Sequence, residues 1–90
     1  MENTIELWSK LREIHPSRIA RVSEQFNPTN ESIQDFLNRL SDFCSVVSVA
    51  SDKCGTIGNP YEQAADDLGV LLCAAEKLSG LYAIHPRERA

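Results

Sequence analysis

The sequence predicts an all-α fold, a small helical bundle built around a long antiparallel helical hairpin, and three observations carry that prediction. Apolar residues recur at three- and four-residue intervals over residues 30–54 and again over 60–84. These two runs are of equal length and only a short glycine-bearing connection separates them, which makes the helices they form antiparallel neighbours. Two shorter apolar-periodic runs, 4–14 and 16–26, precede them. At 1.5 Å per residue the long helices span roughly 36 Å each and the short ones about 16 Å each, so the short pair laid end to end covers the open groove of the hairpin.

Taken in order, residues 4–14 place Ile5, Leu7, Trp8, Leu11 and Ile14 at helical spacing, with Asn3 or Thr4 as the N-cap and glutamates in the first turn, where the helix dipole favours them. Pro16 has no amide hydrogen and pushes His15 away from helical backbone angles, so it ends the first helix and opens the second. Ile19, Val22 and Phe26 then mark an apolar side through residue 26. Asn27-Pro28-Thr29-Asn30 is a turn by composition, and Thr29 or Asn30 can cap the helix that follows.

In that third helix Ile33, Phe36, Leu37, Leu40, Phe43, Cys44, Val47 and Ala50 share one face, and Glu31, Gln34, Asp35, Asn38, Asp42, Ser45 and Asp52 the other. Gly55 supplies a left-handed stop, with Lys53 beside the negative helix end. Asn59-Pro60-Tyr61-Glu62 reads as a variant capping box at the start of the fourth helix. Tyr61, Ala64, Ala65, Leu68, Leu71, Leu72, Ala75, Leu78 and Tyr82 carry its apolar pattern, with an end expected near Ile84, before His85-Pro86.

Ninety residues with 42% hydrophobic content and no low-complexity tract point to a single helical domain over residues 1–90. A core this small buries only about 60% of the surface of the unfolded chain, which makes self-association a natural supplement. The formal net charge of −4, with both signs mixed along the chain, suits solubility and opposes binding to phosphate backbones. No uncharged run approaches the roughly 18 residues of a membrane span, and the first residues lack the basic and apolar regions of a signal peptide. Cys44, Cys54 and Cys73 are odd in number and form no CxxC pair, which favours free thiols in a reducing, cytoplasmic setting.

The candidate chemical motifs are weak. His15 and His85 sit in similar Ile-His-Pro settings, but two histidines with cysteines at unsuitable spacing make no zinc ligand set, and helix ending at a proline explains both. Cys44 and Cys73 lie on or beside apolar stripes as small hydrophobes, while Cys54 lies at the negative end of a helix, the wrong end to activate a thiol. Asp66 and Asp67 point about 100° apart on a helix, cannot share a ligand, and are expected to be solvated near its favourable N-terminal end. Gly55 and Gly58 flank a turn without a following GK[ST], so no phosphate loop is present. The expectation is therefore a protein that is no enzyme, with no catalytic, metal or cofactor-binding residues.

Two readings of function remain. Residues 18–40 have the outline of a helix-turn-helix, with Arg18, Arg21, Gln34 and Asn38 as candidate DNA-contacting groups, but Glu31 and Asp35 would face the phosphates. The leading reading is a protein–protein interaction module, a self-associating regulator or inhibitor of another protein. It rests on residues 68–75, apolar or small around the whole helix circumference, which asks for burial on every side. The expected interface comprises Ala65, Gly69, Val70, Leu72, Cys73 and Ala74, with Val46 and Val49 on the neighbouring helix. Its partners are a second copy in a homodimer and an unidentified protein, with neither nucleic acid nor membrane.

Overall fold

Side chains that cap the first free amides set where three of the helices begin. The computed structural model describes residues 3–84 and contains α1 (Thr4–Ile14), α2 (Pro16–Val22), α3 (Ile33–Cys54) and α4 (Pro60–Ser79). Asn3 caps α1 by accepting from the Glu6 amide, Ser32 caps α3 by accepting from Asp35, and Asn59 caps α4 by accepting from both Tyr61 and Glu62. His15 joins α1 to α2 through its backbone: its N–H donates to the Leu11 carbonyl, and no side-chain cap bond forms. His85, the other histidine of the sequence motif, lies outside the described residues.

Three helix boundaries differ from the sequence expectation. α2 stops at Val22 rather than residue 26, yet Phe26 still reaches the core because its N–H bonds the Val22 carbonyl as the chain turns. α3 starts at Ile33, two to three residues later than a Thr29 or Asn30 cap would place it, because Ser32 takes the capping position. α4 stops at Ser79 rather than near Ile84: Gly80 adopts φ 75° and closes the helix, as Gly55 at φ 67° closes α3.

Beyond Gly80 the chain runs back across α3. Gln34 donates to the Tyr82 carbonyl at 2.8 Å, Asn38 accepts from the Ile84 amide at 2.8 Å, and Glu76 accepts from the Ala83 amide at 2.9 Å. Ala83 is thereby buried, whereas Tyr82, expected on the core face of a longer helix, is 73% exposed.

α3 and α4 pack together as the long hairpin, and α1 and α2 each pack against α4 and against each other. The core is one cluster: Leu7, Trp8 and Leu11 from α1, Ile19 and Val22 from α2, Phe36, Leu37, Leu40 and Val47 from α3, and Leu68, Leu71, Leu72 and Ala75 from α4. The buried stripe of α1 is Thr4, Leu7, Trp8 and Leu11, which leaves Ile5 and Ile14 outside, contrary to the expectation that they share the core face.

Four aromatic rings lock the N-terminal helices to α3. Trp8 meets Phe36 edge-on at 5.9 Å, and Phe26 stacks on Phe43 at 5.8 Å. Arg39 lies 4.1 Å over the Phe26 ring and donates to the Asn27 carbonyl and the Glu31 carboxylate. Glu31, expected on the solvated face, is therefore a tether for the 23–32 connection. Its carboxyl is held below the usual range, chiefly by the Arg39 hydrogen bond against the opposing effect of burial.

Candidate functional site

Two features of α4 stand apart from the general core, an ion cluster on its α2 side and a groove on its outer side. The helix that carries both is firmly started. Asn59 is buried, its amide donates to the Thr56 carbonyl at 2.7 Å, and Glu62 reaches back to the Gly58 amide at 3.1 Å, one residue earlier than in the usual capping box.

The ion cluster overturns the expectation that both aspartates are solvated. Asp66 is 62% exposed in its side chain, but Asp67 is only 1% exposed. Arg21 grips Asp67 through Nε at 2.8 Å and Nη2 at 3.0 Å, Arg18 Nη1 adds a contact at 2.9 Å, and Gln63 adds one at 3.1 Å. Arg18 also donates to Asp66 at 2.7 Å.

Burial alone would raise the Asp67 pKa, but hydrogen bonds from Arg21 and Gln63 and the charges of both arginines outweigh it, leaving the carboxyl below its ordinary range. A carboxylate held by two arginines stays ionised and joins α2 to α4, with three of the four bonds on Oδ1 and one on Oδ2. The sequence does contain a signal for it. Arg18 and Arg21 are three apart and share a helix face, and Asp67 borders the apolar stripe of Ala64, Leu68 and Leu71.

These contacts also account for the candidate DNA-contacting residues. Arg18 and Arg21 are held by the aspartates, Gln34 bonds Asn38 and the Tyr82 carbonyl, and Asn38 bonds the Ile84 amide. Residues 23–32 separate α2 from α3, longer than the three- to four-residue turn of a helix-turn-helix, so that outline is not formed.

The outer groove has a volume of about 670 Å³ and is lined by Ala65, Gly69, Val70, Cys73 and Ala74 together with His15, Asp66 and Lys77. Five of the eight expected interface residues thus lie together. Leu72 does not join them, because at 8% exposure it packs in the core. Val46 and Val49, 65% and 46% exposed, lie on α3 and do not line the groove.

Gly69 faces open space: a Cβ built on it meets no atom within 4 Å. A glycine inside a helix costs about 1 kcal/mol relative to alanine, and no contact among the described residues requires one here.

A smaller concavity of about 380 Å³ lies between the end of α2 and the start of α4, and its polar lining groups Arg21, Gln63 and Asp67 are bonded to one another. Among the described residues no group of three or more His, Cys, Asp or Glu side chains is placed to hold a metal, and no helix is long and apolar enough to cross a membrane. The three cysteines are unpaired by disulfides; burial pushes the Cys44 thiol up, while Cys54 and Cys73 are exposed. No family model matches the chain, and comparison with curated proteins and with solved structures found no match either.

Proposed function

We propose that the chain is a non-enzymatic, cytoplasmic interaction module that self-associates through the outer face of α4 and acts, once assembled, as a regulator or inhibitor of another protein. The observation that carries this reading is Gly69, a mid-helix glycine with open space before it, in a groove otherwise made by Ala65, Val70, Cys73 and Ala74. Ala65 and Ala74 also pack against the core, and the small side chains at the open positions beside them let another backbone come close, so that covering them removes apolar surface from water.

Sedimentation equilibrium tests it. A dimer mass is expected, and a persistent 10.0 kDa monomer at high concentration contradicts it. The DNA reading has no comparable support, since each of its four candidate residues already bonds within the chain. The expected outcome of a low-salt DNA shift assay is no complex.

A further inference from the structure

Resting on that self-association reading, we infer that the occupant of the α4 groove is a second copy of this chain, its α4 antiparallel, with Asp66 opposite Lys77 of the other copy and Val70 opposite its Cys73. At 3.6 residues per turn, Asp66, Val70, Cys73 and Lys77 fall within an arc of about 60° on α4. That arc lies opposite the buried stripe of Leu68, Leu71, Leu72 and Ala75. The spacing along it runs four, three, four, so it is the same in both directions. A two-fold axis crossing the outer face at the level of Leu71 and Leu72 therefore superimposes the stripe on itself.

Charge decides the direction. The antiparallel arrangement makes two Asp66–Lys77 pairs by symmetry, whereas a parallel one sets Asp66 beside Asp66 and Lys77 beside Lys77. Both groups are available. Lys77 is exposed and has no ion-pair partner among the described residues, and Asp66 is 62% exposed, with Arg18 engaging only its Oδ2. Between the charges, the open position of Gly69 lets the second helix approach the Val70 and Cys73 side chains. The three steps cover eleven residues, close to three full turns, so the stripe runs nearly straight along α4.

Two experiments on the full chain test the register. In a Cys44→Ala, Cys54→Ser background, one copy keeps Cys73 and the other carries Val70→Cys with Cys73→Ser; the two are mixed and oxidised. The mixed disulfide is expected to dominate, with little linking of either copy alone. Separately, Asp66→Lys or Lys77→Asp is expected to weaken association about tenfold, and the double reversal to restore it, with helix content by circular dichroism unchanged. A dimer that shows neither the mixed disulfide nor the charge restoration overturns this register and leaves self-association standing. A chain that stays monomeric at every concentration overturns both.

Discussion

The two faces of α4 differ most in the size of their apolar side chains. On the inner face Leu68, Leu71, Leu72 and Ala75 are between 0% and 8% exposed. On the outer face Gly69, Val70, Cys73 and Ala74 remain partly open, in a groove rather than a packed interior. Large side chains fill the space between helices within the chain; small ones leave a helix backbone approachable from outside. The difference teaches that on a helix apolar all round side-chain volume, more than apolarity, separates the face packed inside the chain from the face left open.

The sharpest way to break this comparison is to treat the faces alike. Leu71→Ala on the inner face removes a fully buried side chain and should cost about 2–5 kcal/mol, read as a large fall in the urea midpoint. Asp67→Asn, at the boundary between the core and the α2 contact, keeps the shape but loses the charge that both arginines engage. A loss of about 1–3 kcal/mol is expected in chemical denaturation, moderated because the arginines can return to water.

The same carboxylate sets an acid limb. Its folded pKa lies below the ordinary value, so its contribution is complete above the unfolded pKa of about 3.9 and is lost as pH falls through the folded value. Glu31, also depressed, acts in the same sense. Asp67→Asn should therefore flatten stability against pH below about 4 and leave the neutral-pH slope unchanged.

On the outer face the effects on stability should be smaller and can be of opposite sign. Gly69→Ala adds a methyl group into open space and should stabilise the isolated chain by about 0.5–1 kcal/mol, raising its thermal midpoint, while weakening self-association by keeping the second helix away. Val70→Lys should change chemical stability by no more than about 0.5 kcal/mol, because its side chain is not in the core.

Sequence patterning carried the fold further than the site. The four helices, their hairpin pairing, the Asn59-Pro60 start and the Gly55 stop all follow from local chemistry, where a cap or a proline acts on neighbours a few residues away. Gly80 is the same kind of stop as Gly55, set inside an apolar pattern that runs on through Tyr82. In the structure Tyr82 faces water while its carbonyl binds Gln34.

Asp67 departs from its solvated expectation for a different reason. Nearness to a helix start makes an aspartate comfortable in solvent, and that local argument takes no account of two arginines reaching from α2, more than forty residues away in sequence. Leu72 likewise fell among interface residues because periodicity alone does not divide a helix that is apolar all round. The packing of α1, α2 and α3 against the core assigns it inward.

The most direct measurement compares the wild-type chain with Val70→Lys by sedimentation equilibrium at matched concentrations, with circular dichroism on the same samples. The proposal of a shared α4 face predicts a wild-type dimer and a Val70→Lys monomer near 10.0 kDa, with equal helix content. A monomeric wild type, or a Val70→Lys variant that dimerises as tightly, contradicts it.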